Sequence, residues 1–203
     1  MLPRWARKFS GENDSTEDER VRFSRIICEN VDRADQMIQD LLTASRIKAG
    51  EKIASDRKSG DIVETLRATL DFLTRIHKRE FLFHTEGQIT GLWDTDRVRR
   101  IVENLCGNAI KYGSASIPIR IALKGNTFGI QISVHNFGNP IPQSELKNLF
   151  NLFERSESAN RGPESGWGIG LTIVRALSEE MGGHVLVESS AAAGTTFSVH
   201  LPT

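Results

Sequence analysis

From Val21 to Ala49 the chain carries neither Pro nor Gly, and Ile27, Val31, Ala34, Ile38 and Leu41 recur at alternating steps of four and three. That is the heptad seam of one long helix, widened by Met37 and Leu42. Asp14, Ser15 and Thr16 are candidate N-caps, and Gly50 ends the pattern. A single helix cannot cover such a seam alone, so the pattern calls for partner helices. The polar run EKIASDRKSG, 51–60, then reads as a linker.

Beyond it the periodicity changes. DIVETLRATLDFLTRIHKR has the apolar stripe of a second helix, and EFLFH that of a strand, with a short return through Gly87 to Trp93. Asp94 or Asp96 caps a third helix that runs to about Tyr112. Alternation predicts strands over 118–123 and 128–136, turning at Gly125 and Asn126. A helix is expected over 143–153, a loose polar loop over 156–166, and a helix over 171–181 stopped by Gly182 and Gly183. Strands over 184–188 and 196–201 close the chain. Helices alternating with paired strands predict an α+β fold, a two-layer sandwich of one sheet and one helical layer, preceded by the long helix.

Composition narrows the function classes. Lys+Arg and Asp+Glu balance at 26 each, which offers no basic face to nucleic acid or an anionic membrane. No apolar run approaches the roughly 20 residues of a membrane span, and MLPRWARKFSGEND lacks a signal peptide's apolar stretch. Cys28 and Cys106 have no metal-ligand spacing and read as buried, reduced thiols in a cytoplasmic protein.

Four segments carry candidate chemistry. In ENLCGNAIKYG, Asn104, Asn108 and Lys111 follow at steps of four and three and share one helix face. A carboxamide oxygen suits hard Mg²⁺ and an ammonium suits phosphate, although a solvated helix face explains the same spacing. In VHNFGNPIP, Asn136 ends a strand and Gly138 permits a close backbone approach, so the amide is placed to pair with a flat heterocycle; a plain strand-terminating turn explains it equally. GWGIGL opens a helix with three glycines whose bare N–H groups suit phosphate, as do many ordinary helix-initiating turns. The polar loop before it would be a lid hinged on those glycines. GTTF leads small hydroxyls into the last strand, where Thr is also simply a good strand residue.

Taken together and in this order, these segments resemble the ATP-binding domain of sensor histidine kinases, the Bergerat fold shared with gyrase and the MutL mismatch-repair proteins. NLCGNAIKYG resembles the N-box, VHNFGNPIP the first glycine box, LFNLFERS the F-box and GWGIGL the second glycine box, and the resemblance covers about 61–203. VDRADQMIQDLLTASRIKAGE resembles the second helix of the family's dimerisation and histidine-phosphotransfer bundle. The resemblance thus implies a partial bundle over 1–50 with its helix over about 17–49, and a catalytic domain over 61–203. It implies ATP and Mg²⁺ as ligands, a response-regulator receiver domain as partner, and homodimerisation through a complete bundle. By position, Asn108 should ligate Mg²⁺, with Asn104 on the phosphate side. Lys111 should meet phosphates, and Tyr112 should pack on adenine or ribose. Asn136 should face the adenine amino group, with Gly138 and Ile141 shaping the pocket. Phe150 and Phe153 should anchor the lid, and Arg155 should approach the terminal phosphate. Gly166, Gly168 and Gly170 should line the phosphates, with Leu171 beside them and Thr195 or Thr196 on the base side.

Three departures from the family pattern stand out. The first glycine box usually reads Asp-x-Gly-x-Gly; here Asn136 keeps an acceptor oxygen but loses charge assistance, about 1 kcal/mol, and Pro140 stiffens the turn. ATP-hydrolysing relatives place a Glu base where Asn104 stands, while Glu103 lies about 100° around the helix; an Asn cannot activate water, which favours transfer over hydrolysis. Finally, none of the five histidines, His77, His84, His135, His184 and His200, sits in the family's His-(Glu/Asp)-x-x-x-Pro context. His77 and His135 read as structural or surface residues. The chain is therefore expected to begin partway through the bundle, with Leu2–Phe9 as the tail of the missing helix, in a protein that is cytoplasmic or anchored upstream. The reading favoured is the donor half of a histidine kinase. A nucleotide-sensing pseudokinase or scaffold is the alternative, and a serine kinase of the anti-sigma type is a third, which the heptad helix opposes.

Overall fold

The computed structural model describes residues 17–48, 61–89, 91–151 and 169–203. The first helix, α1, spans Glu17–Lys48. The chain divides into two compact units, Met1–Gln39 and Asp40–Thr203, with the division inside α1. Along α1 the seam residues Ile27, Val31, Ile38 and Leu41 are exposed.

Helix α2 (Ile62–His77) starts where the Asp61 carboxylate accepts from the N–H groups of Val63 and Glu64 at 2.8 and 3.1 Å. Such a cap contributes about 1 kcal/mol. Ile62, Leu66, Thr69, Leu70 and Leu73 form its buried stripe. Lys78 ends it in the left-handed region, at φ 51°. Strand β1 (Phe81–Gly87) follows, then α3 (Thr95–Tyr112), capped by Asp94 accepting from Arg97 N–H at 3.1 Å. After α3 come strands β2 (Ile119–Asn126) and β3 (Gly129–Asn136), then a short helix α4 (Gln143–Leu146). Helix α5 (Gly170–Glu180), β4 (His184–Ser190) and β5 (Gly194–Pro202) complete the chain.

The sheet runs β1-β2-β3-β5-β4, with β1 and β2 parallel across the α3 crossover and the other pairs antiparallel. Helix α3 packs between α2 and α5 over one face, as the two-layer pattern predicts. The core between the layers holds Val98, Ile101, Val102 and Leu105 from α3 against Ile121, Ile132 and Val199 from the strands. Where α3 begins and α5 ends, Arg97 bridges Asp94 and Glu180, each at 3.0 Å, in a nearly buried ion network. Removing one partner of such a network costs about 3–5 kcal/mol, because a buried charge is left alone.

Three expectations change in detail. The β2–β3 turn lies at Thr127 and Phe128 rather than Gly125 and Asn126, since Asn126 pairs with Gly129 and its Oδ1 accepts from Phe128 N–H at 2.8 Å. Gly125 lies within the strand, at a position where a Cβ would strike the Gln88 carbonyl. The helix expected over 143–153 lasts one turn; beyond Leu146 the bonds are three-residue turns, Asn148 N–H to Glu145 O and Asn151 N–H to Asn148 O. Cys106 is buried as expected, but Cys28 is exposed on α1. The predicted lid, the linker and Leu2–Phe9 lie outside the described residues, as do Phe153, Arg155, Gly166 and Gly168.

Candidate functional site

Helix α3 presents Asn104, Asn108 and Lys111 beside its buried stripe, all half-buried, and ends at Tyr112, which is 41% exposed. From Asn104 to Tyr112 this row spans about 12 Å of helix. At its C-terminal end the row meets the turn after β3. Gly113 and Gly138 form an isolated bridge, and Ser114 N–H donates to Phe137 O at 2.5 Å. Any Cβ on Gly138 would strike the Tyr112 carbonyl, so the close approach this glycine permits is to the end of α3.

Asn136 sits in that corner, 7% exposed, opposite the buried Thr195 on β5. Strand alternation separates the two threonines. Thr195 points inward with Asn136, whereas Thr196 points to the opposite face, its Oγ1 3.0 Å from His135 Nδ1. Burial, then the charge of Arg120, lowers the pKa of His135. The glycine at 194, with φ 74°, brings this strand against Asn136: a Cβ there would lie 2.6 Å from the Asn136 carbonyl.

Ser189, outside the four motif segments, also belongs to this corner. It lies opposite Thr195 in the β4–β5 register, with the two hydroxyls 2.7 Å apart, and Ile141 N–H donates to Ser189 Oγ at 2.9 Å. This link ties the loop after β3 to the last two strands. The signal was available in HVLVES, where alternation places a hydroxyl at 189 in line with the inward Val185 and Val187.

At the other end, Asn104 Nδ2 donates to Arg100 O at 2.8 Å, and a Cβ on Gly170 would lie 2.7 Å from Asn104 Oδ1. The start of α5 is therefore pressed against Asn104. Among the described residues no side chain caps that helix, and the first-turn N–H groups and positive dipole end of a helix suit an anion. Leu171 is half-buried against the core. Thr172 Oγ1 donates to Phe150 O at 3.1 Å, and the Phe150 ring meets Phe197 edge-on at 6.4 Å, which anchors the chain before the predicted lid. Glu103 serves another neighbourhood. Its pKa is raised by burial against the pull of Arg99 and Arg100, and its charge adds to the burial that pushes the Cys106 thiol up to about 12.

Asn108 is distinctive. Its Nδ2 is buried and has no hydrogen-bond partner among the described residues. The two ends of a carboxamide exchange on rotation, so the same pocket position can hold Oδ1, an acceptor suited to a hard cation. The residues present fit Mg²⁺ in this respect.

A family model described as "Histidine kinase-, DNA gyrase B-, and HSP90-like ATPase" matches residues 93–203. The chain is 32% identical over 174 residues to the virulence sensor protein BvgS of Bordetella bronchiseptica, covering 82% of this chain and 14% of that protein. It is 31% identical over 181 residues to the adaptive-response sensory kinase SasA of Synechococcus sp., covering 84% and 46%. A crystal structure of full-length ShkA in complex with AMPPNP shares the fold, with a TM-score of 0.74 at 24% identity over 94% of this chain and 40% of that one. The chain thus spans less than half the length of these relatives.

Proposed function

Because this chain belongs to the histidine kinase-, DNA gyrase B- and HSP90-like ATPase family, we propose that it is the phosphoryl-donating half of a sensor histidine kinase, binding Mg-ATP between α3, the turn after β3 and the start of α5. The observation that carries transfer rather than hydrolysis is Asn104. It stands where a general base would be needed, but its amide donates to the Arg100 carbonyl and abuts Gly170, and a carboxamide cannot take a proton from water.

In this reading Asn136 accepts from the adenine amino group, with Thr195, Ser189 and Ile141 fixing that wall, and Tyr112 covers the base or ribose. Asn108 and Lys111 hold the metal and phosphate side, and the open first turn of α5 faces the phosphates. Mg²⁺, held by Asn108 Oδ1, would neutralise charge on the phosphate oxygens. The γ-phosphorus bond to its bridging oxygen breaks, a new P–N bond forms to a histidine on a bundle helix, and ADP leaves with the electron pair. The phosphoryl group then passes to a receiver-domain Asp.

The exposed heptad seam of α1 supports a bundle over 1–50 that dimerises when complete, joined by 51–60 to a catalytic domain over 61–203. Among the described residues no helix is long and apolar enough to cross a membrane, which is compatible with cytoplasmic placement of this portion. The test supplies [γ-³²P]ATP, Mg²⁺ and a separate bundle bearing the acceptor histidine. Label is expected on the bundle and not on this chain. Stable label on one of the five histidines here, or no transfer despite ATP binding, would overturn the proposal.

A further inference from the structure

Strand alternation gathers four of the five histidines, His84, His135, His184 and His200, on the sheet face that the helices leave open. Two of them form a pair. His184 on β4 lies directly opposite His200 on β5, and their imidazoles are stacked 8° from parallel with centroids 4.8 Å apart. His135 is engaged with Thr196 and Phe137. By contrast, among the described residues neither ring of the His184–His200 pair hydrogen-bonds to a protein group.

We propose that His184 and His200 form a two-imidazole site for a divalent transition cation of the Zn²⁺, Ni²⁺ and Cu²⁺ class, on the open face of the sheet. Directly opposed residues hold their Cβ atoms about 4.5–5.5 Å apart on a backbone that cannot slide. Two nitrogens each about 2.0–2.1 Å from one cation are at most about 4 Å apart. Binding therefore requires a ring rotation, at the exposed His184, that turns the two lone pairs toward one ion.

Gln131 faces His200 from β3, Ser198 and Leu186 occupy the next row, and Glu188 lies further along β4. The Lys124 ammonium, in the same row on β2, is held by Glu86 at 2.8 Å. Burial and the charge of His184 lower the pKa of His200. Imidazole pairs select borderline metals over Mg²⁺, so this site is chemically separate from the nucleotide site, and the Irving–Williams order places Cu²⁺ tightest.

The experiment uses the full chain carrying Cys28→Ser, so that the exposed thiol does not compete, titrated with CuCl₂ and followed by electron paramagnetic resonance. One Cu²⁺ ion coordinated by two imidazole nitrogens is expected. His184→Ala and His200→Ala should each weaken binding at least tenfold and leave a single nitrogen, the double variant should add little, and His84→Ala should change nothing. Circular dichroism checks that each variant is folded. One-nitrogen coordination in the parent, or parent-like binding in either single variant, would overturn the site.

Discussion

At the end of β3 the hydroxyls of Ser189 and Thr195 and the Ile141 amide already satisfy one another around a buried Asn136. One to two helical turns back along α3, Asn108 buries an amide end with no partner among the described residues. Among the described residues, one end of the proposed site is thus set before anything binds, and the other is incomplete. A flat base needs a fixed wall whose donors and acceptors do not move. A metal–phosphate group brings its own charge and can complete a site that is unsatisfied without it.

The largest effect should come from the incomplete end. Asn108→Ala removes the oxygen that would hold Mg²⁺, and phosphoryl transfer to a supplied bundle should fall at least about 100-fold, as when one element of preorganised charge stabilisation is lost. Initial rates of ³²P transfer measure it. Asn136→Ala strikes the finished end. It should leave the base unpaired in a buried corner and weaken nucleotide by about 1–3 kcal/mol, roughly 10–100-fold, read by calorimetry.

These two asparagines were legible in the sequence because spacing and order carry them: the Asn104–Asn108–Lys111 row needs only helical periodicity, and Asn136 only the end of an alternating run. Asp94, read with Asp96 as one of two candidate caps, and Gly182, read with Gly183 as a stop, likewise marked helix boundaries through local chemistry. What was not legible depends on register. Alternation in HVLVES gives the face of Ser189, but nothing local says that Ser189 falls opposite Thr195 or that His184 falls opposite His200, because the pairing register is set by the neighbouring strand. The β2–β3 turn was misplaced for a related reason. Gly125 looks like a turn residue, but its missing side chain accommodates the Gln88 carbonyl. The exposed Ile27, Val31, Ile38 and Leu41 show that a heptad seam states what a helix needs and not what covers it.

A smaller test sharpens the comparison. Ser189→Ala removes the link between Ile141 and Thr195, and should weaken ATP by about 1 kcal/mol, roughly fivefold, by loosening the base wall. Its effect should be equal with and without Mg²⁺, measured by calorimetry in the presence and absence of chelator.

The smallest effect concerns pH. His77, His135 and His200 all have pKa values lowered from 6.5, in each case chiefly by burial. The folded chain therefore binds fewer protons than the unfolded chain as pH drops through 6.5. Stability should be full above that value and decline below it, toward the folded pKa values. Thermal melts at pH 7.5 and 5.5 should show this decline, and His135→Gln should make it shallower.

The most direct measurement is an ATP titration of the parent chain, Asn108→Ala and Asn136→Ala, each with Mg²⁺ and with chelator. In the parent, Mg²⁺ should strengthen binding; Asn136→Ala should weaken both conditions by the same factor and keep that gain; Asn108→Ala should erase the gain. If Asn108→Ala retains the full benefit of Mg²⁺, the unpartnered amide on α3 is not the metal end of the site, and the division between the two ends is wrong.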